Sequence, residues 1–304
     1  MIISASRRTD ICAFHSRWFM NRLEAGYAMV RNPVRREMVS RVPLDVGSVD
    51  HMVFITKDPS PMLPYLPDLF ETYSVSFQIT ITSYERDVEF NVPESDRVIS
   101  FLKEVSEILG SDRVIWRFDP ILFSNKYDEE TIVSGFREMC AQMSGYVDRC
   151  VFTFLEHYPK IEPIIGGLGI RECRDRKRFV SSLNECASSF DIRLSSCTAN
   201  LYVDHPFIHS GACIDTMSMR RWGIPYEMPS TPVRKGCGCV KTVDIGDYDT
   251  CMHNCAYCYA NSSSVKSRSD KVYDPDSEFI CGYGEHTDII RELGSKSQSK
   301  LSIR

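Results

Sequence analysis

Short apolar, β-branched runs recur through the first 200 residues, and the stretches between them carry apolar residues at helical spacing. The runs predict strands at Ile2–Ser6, Met52–Thr56, Val75–Thr82, Val114–Phe118, Cys150–Leu155 and Ile192–Ser196. Val98, Leu102, Val105 and Leu109 share one helical face, as do Ile132, Phe136, Met139 and Met143. Thr9 or Asp10 is placed to cap a helix bearing Phe14, Trp18, Phe19 and Leu23. Alternating β and α units build a parallel sheet. The expected fold is therefore α/β, a parallel βα barrel, closed or partial, with six units in residues 1–200. Beyond residue 200 the helical spacing fades and Gly, Pro and Cys become dense, as in Gly236-Cys237-Gly238-Cys239. This predicts a cysteine-rich segment over 201–285 packed on the barrel, with one more strand candidate at Val240–Ile245, and a polar Lys/Ser-rich tail over 286–304.

Polar residues gather where the predicted strands end. The first runs into Ser6-Arg7-Arg8-Thr9-Asp10, the second into Thr56-Lys57-Asp58, and the third carries Gln78, Thr80 and Thr82. The fourth gives Arg117, Asp119 and Pro120, the fifth Glu156 and His157, and the sixth Cys197 and Thr198. The C-terminal rim of a parallel barrel is where active sites are built. Arg7, Arg8, Asp10, Lys57, Arg117 and Asp119 are accordingly the candidate catalytic residues. Thr56 and Gln78 are candidates for holding a cofactor.

Composition narrows the classes. Apolar residues make up 43% and charged residues 25% of the chain, ordinary for a globular protein with a sizeable core. A formal net charge of −5 argues against a nucleic-acid binder that works by broad phosphate neutralisation. The opening MIISASRRTD lacks an apolar signal core, and no long apolar run suggests a membrane span. A cytoplasmic protein is expected, and its 13 cysteines in a reducing compartment read as metal ligands or core residues rather than disulfides.

The sharpest chemical signal is Cys251-Met-His-Asn-Cys255-Ala-Tyr-Cys258-Tyr-Ala. Three thiolates at this spacing suit a 4Fe–4S cube held by one tight loop, leaving one iron without a ligand from that loop. The alternative is a zinc site that joins the Cys255/Cys258 pair to Cys237 and Cys239. A second set, Cys197, Cys213, Cys237 and Cys239, supplies candidate ligands for an auxiliary cluster, a structural zinc, or four separate packed thiols. Cys12, Cys140, Cys150, Cys173, Cys186 and Cys281 read as core or incidental residues, with Cys140 on the apolar face of its helix. His253 falls inside the loop, facing either a cluster sulfur or solvent. His205 and His209 read as surface or hydrogen-bonded residues, because Pro206 interrupts the helix that would align them with Cys213.

The cysteine string resembles the C-x3-C-x-aromatic-C signature of the radical S-adenosylmethionine superfamily, and its YCYA ending is similar to relatives of spore photoproduct lyase. The resemblance implies a cluster whose open iron chelates S-adenosylmethionine and whose electron releases a 5′-deoxyadenosyl radical. It also implies that Tyr257 lies beside the cluster and the adenine. In that superfamily the motif follows the first strand; here it follows Val240–Ile245, as a circular permutation would place it. No Gly-Gly-Glu element is evident, Gly166-Gly167 being no substitute.

A wider resemblance spans nearly the whole chain. SASRRTDI, Arg31-Asn32-Pro33, Ile55-Thr56-Lys57, Arg117-Phe118-Asp119-Pro120, Gly211-Ala212-Cys213-Ile214-Asp215 and Cys237-Gly-Cys239 followed by Asp244-Ile245-Gly246 are similar to the family catalogued as domain of unknown function 1848, with Cys12 standing where that family usually has Pro. The expected protein is a radical enzyme acting on a small molecule or a modified macromolecule, with a ferredoxin or flavodoxin as reductant and no membrane partner. The competing classes are an electron-transfer or sensory iron–sulfur protein and a zinc-stabilised interaction protein.

Overall fold

The computed structural model describes residues 1–156, 159, 161–197, 209–232, 236–261 and 272–294. The strands are β1 (Ile2–Ala5), β2 (Tyr27–Arg31), β3 (Met38–Pro43), β4 (His51–Thr56), β5 (Val75–Thr80), β6 (Val114–Ile121), β7 (Arg149–Phe154), β8 (Arg193–Ser196), β9 (His209–Ser210), β10 (Val243–Asp244) and β11 (Ile289–Glu292). Eight of them form one sheet in the order β10-β1-β4-β5-β6-β7-β8-β9, and every pairing in it is parallel. The six predicted strands are its middle six members. Among the described residues no pairing joins β9 to β10.

Strand alternation decides what each face of this sheet does. Ile3, Phe54, Phe77, Ile79, Trp116, Phe118 and Phe152 point to one side, into the main core. There they meet helices Ser95–Leu109, Glu129–Met143 and Arg176–Ser188, whose apolar stripes include Val98, Leu102, Ile132, Phe136 and Leu183. Asp128 and Asp175 cap the last two by accepting from Thr131 N (2.8 Å) and Arg178 N (3.0 Å). Ile2, Val53, Ile115 and Val151 point the other way, against Ala212, Ile214, Met219 and Val240 of the cysteine-rich segment. A sheet buried on both faces explains why its strands read as nearly continuous apolar runs.

The first helix is broken in two. Asp10 caps Ile11–Phe14 through Ala13 N (3.0 Å), His15 interrupts the helix, and Ser16–Ala25 carries on to a left-handed Gly26. Three further strands form a second sheet in the order β11-β3-β2, with β2 and β3 an antiparallel hairpin. The sequence pattern gave no sign of that hairpin. Residues 289–292, expected in the polar tail, form β11 along β3, while 295–304 lie outside the described residues. Among the described residues no helix is long and apolar enough to cross a membrane.

Candidate metal and cofactor site

The cysteine loop grows out of β10, and β10 lies beside β1. Asp244 joins the two. It accepts from Ser6 Oγ (2.6 Å) and Arg7 N (2.8 Å), and Arg7 Nη2 donates to Thr242 Oγ1 (2.7 Å). Arg8 reaches the carbonyl of Gly246 (3.4 Å) and covers the Tyr248 ring. Gly246 is required there: a Cβ would run into the Ser6 hydroxyl and stand 2.7 Å from Ser6 Cβ. Arg7 and Arg8 therefore tie the end of β1 to the base of the loop.

The loop is then fastened to the segment after β5. Ala256 N donates to Val88 O (2.8 Å), Asn91 N to His253 O (3.0 Å) and Asn91 Nδ2 to Met252 O (2.8 Å). Asn254 takes a left-handed conformation (φ 55°), which asparagine tolerates better than most residues. His253 is buried, not solvent-facing, with Nε2 2.9 Å from Asp10 Oδ2. Asp10 also accepts from Lys57 N (2.7 Å), so one carboxylate links the first helix, the end of β4 and the cysteine loop. Burial alone would raise the Asp10 carboxyl, but the His253 bond and charge, with the Lys57 and Ala13 amides, hold it below the usual carboxylate range.

Glu89, which the sequence did not single out, organises the next side of the site. One of its carboxylate oxygens accepts from Lys57 Nζ (2.8 Å), Thr82 Oγ1 (2.7 Å) and Tyr257 OH. Lys57 lies beside Cys255, and although burial disfavours its charge, Glu89 and Cys255 keep the ammonium above its ordinary pKa. Burial pushes up the Cys251 and Cys255 thiols; Asp10 adds to the effect at Cys251, while Lys57 opposes it at Cys255. Each of these two thiols also feels Cys258, so the three form one electrostatic group.

Arg117, Asp119 and Gln78 lie on the sheet face covered by the cysteine-rich segment. Arg117 Nη1 donates to Gln78 Oε1 (2.9 Å), Gln78 Nε2 donates to Cys213 O (2.6 Å), and Arg117 and Thr153 both bond Asp119. Tyr259, whose hydroxyl donates to Arg7 O (2.7 Å), feels both Arg117 and Cys258 and bridges this floor to the loop. Thr56 is placed differently. Alternation turns it away from Lys57 onto the helix-covered side, where it meets the Cys12 thiol and its hydroxyl accepts from Asp58 N (2.9 Å). The structure thus does not bring Thr56 onto the face shared by Gln78 and Arg117. His157, Thr198 and His205 lie outside the described residues.

The second cysteine set converges on the other side of the two arginines. Cys197 Sγ stands 3.6 Å from Cys213 Sγ, Cys213 Sγ stands 3.2 Å from Cys239 Sγ, and Cys239 is hydrogen-bonded to Cys237. Bonds from Cys197 and Cys239, with Arg117 and Arg7 nearby, hold the Cys213 thiol well below its ordinary pKa despite burial. Cys12, Cys140, Cys150 and Cys186 are buried core thiols, as expected. Among the described residues no three His, Cys, Asp or Glu side chains already surround a point where a single ion would sit.

The family model described as Domain of unknown function (DUF1848) matches residues 2–260, from the first strand through the end of the cysteine loop. Among curated proteins, none matches the chain.

Proposed function

Because this chain belongs to the DUF1848 family, whose description states no activity, we propose a function from the rim itself: a radical S-adenosylmethionine enzyme with a 4Fe–4S cluster on Cys251, Cys255 and Cys258. The observation that carries this reading is the loop's position. Three mutually interacting thiols leave β10 at the end where parallel strands present their chemistry, beside Lys57, Glu89, Tyr257 and Arg117. The pairing of β10 with β1 supports a permuted partial barrel, in which the strand before the motif comes late in the chain yet sits first in the sheet.

The donor set fits such a cube. It is all-thiolate, the ligand type that holds iron–sulfur clusters. When bound, this cluster with S-adenosylmethionine supplies an electron and, from it, a 5′-deoxyadenosyl radical for hydrogen abstraction. The chain's own residues position and shield. Asp10 and His253 fix the loop against β1 and β4. Glu89 holds Lys57 next to Cys255, where the ammonium offsets charge as the thiols ionise. Tyr257 is held by the same carboxylate. Arg117, Gln78 and Asp119 form the floor on which a polar substrate or the methionine carboxylate would rest.

Anaerobic purification, iron and sulfide counting, and low-temperature EPR of the reduced protein with and without S-adenosylmethionine test the proposal. A 4Fe–4S signal that shifts with the cofactor, and is lost when Cys255→Ala is introduced, is expected. Iron whose signal ignores the cofactor would make this an electron-transfer or sensory protein, and zinc on the loop in place of iron would refute the reading.

A further inference from the structure

Four thiols outside the loop, drawn from three separate stretches of chain, meet in one line of sulfur contacts. Cys197 comes from the end of β8, Cys213 from the turn after β9, and Cys237 and Cys239 from the approach to β10. Cys197, Cys213 and Cys239 are buried. Packing alone gives no reason for this: a buried thiol behaves as a small apolar group, and apolar groups can be supplied without gathering four sulfurs.

We propose that Cys197, Cys213, Cys237 and Cys239 bind one zinc ion in a tetrathiolate site separate from the loop cluster. The Cys197–Cys213 and Cys213–Cys239 distances suit a shared ion. With Zn–S bonds of about 2.3 Å, a tetrahedron places its sulfurs about 3.8 Å apart. The contacts of 3.6 and 3.2 Å would have to open by only about 0.2 and 0.6 Å. An auxiliary four-iron cube would need its sulfurs moved much further, because the irons and sulfides lie between them. As they stand the four thiols do not enclose one point; metal binding would displace their protons and draw the sulfurs round the ion.

The surroundings suit a closed structural site. Arg7 and Arg117 are both close enough to feel Cys213, and two cations beside it offset the charge of a zinc bound by four thiolates. Gln78 anchors the Cys213 carbonyl, and Gly211 lets this stretch press on β8, where a Cβ would come within 3.0 Å of Ser196 O. The ion would pin the segment carrying Ala212, Ile214 and Val240 over the sheet face that it covers.

The test uses the full chain with Cys251, Cys255 and Cys258 all changed to Ala, so that its outcome does not depend on the loop cluster. One zinc per chain is expected, and cobalt replacing it should show the visible bands of a tetrahedral tetrathiolate. Changing Cys213 and Cys239 to Ser should abolish both. Because that pair is buried, Cys237→Ser, at a partly exposed position, provides a milder check and should speed zinc loss to a chelator at least tenfold. Absence of stoichiometric zinc, iron with sulfide on these four residues, or a Cys213–Cys239 disulfide in anaerobically purified protein would each overturn the assignment.

Discussion

Replacing Glu89 with Ala tests the electrostatics of the rim directly. The change removes one buried acceptor oxygen and so leaves three donors without it: the Lys57 ammonium, the Thr82 hydroxyl and the Tyr257 hydroxyl. The lysine dominates. Its side chain is 12% exposed and that of Glu89 is 6% exposed, so water can do little to replace the lost partner. Breaking a buried ion pair from one side costs about 3–5 kcal/mol. Removing both charges, with Lys57→Met and Glu89→Leu, leaves only the two hydroxyls without their acceptor, at about 1–3 kcal/mol. Urea unfolding followed by the fluorescence of the three tryptophans measures both. The expected order is a large loss for the single variant and a smaller one for the double. A single-variant loss below about 1 kcal/mol, or a double variant at least as destabilised as the single, would refute the view that Glu89 works by holding a buried cation.

Two buried histidines give stability a pH dependence of known sign. Burial lowers His15 to about 4 and His51 to about 3, both from 6.5 in the unfolded chain. Between pH 6.5 and about 4 the unfolded state binds more protons, so stability is full above that window and falls with acidification. Each histidine contributes a slope of about 1.4 kcal/mol per pH unit. His51→Gln should roughly halve the combined slope in urea melts taken at several pH values, and an unchanged slope would contradict it. Gly246→Ala forces a Cβ into Ser6 and should cost about 1–3 kcal/mol; a thermal midpoint matching the parent would show that the two chain ends at this point can separate freely.

Much of this architecture can be read from residue order. The runs that became β1, β4, β5, β6, β7 and β8 are apolar on both faces because the sheet is covered on both sides, and such runs are conspicuous. The hairpin β2–β3 escaped because its residues are mostly half-exposed, and Tyr27–Arg31 has no clean alternation. The face that Thr56 takes was readable. Thr56 sits an even number of residues from Phe54, so it must share that residue's helix-covered face, whereas Lys57 shares the other face with Val53. Glu89 was not readable at all. It lies in an irregular stretch, and only the antiparallel contact with Cys255 brings it to Lys57 and Tyr257. His253 found its partner, Asp10, across 243 residues, a distance no local pattern encodes.

The pairing of β1 with β10 also fixes when the site can exist during synthesis. Ser4 and Asp244 touch although 240 residues separate them, so the first strand leaves the ribosome long before its neighbour is made. The central strands can pair in order as they emerge, but the edge beside β1 stays bare until Asp244 arrives, and the loop cysteines come later still. The cluster proposed for this rim would therefore be assembled only after the loop cysteines have been made. A product truncated before Val243 would keep most of the sheet while exposing β1 as a sticky edge, which makes loss of everything from β10 onward a hazard to solubility as well as to the proposed site.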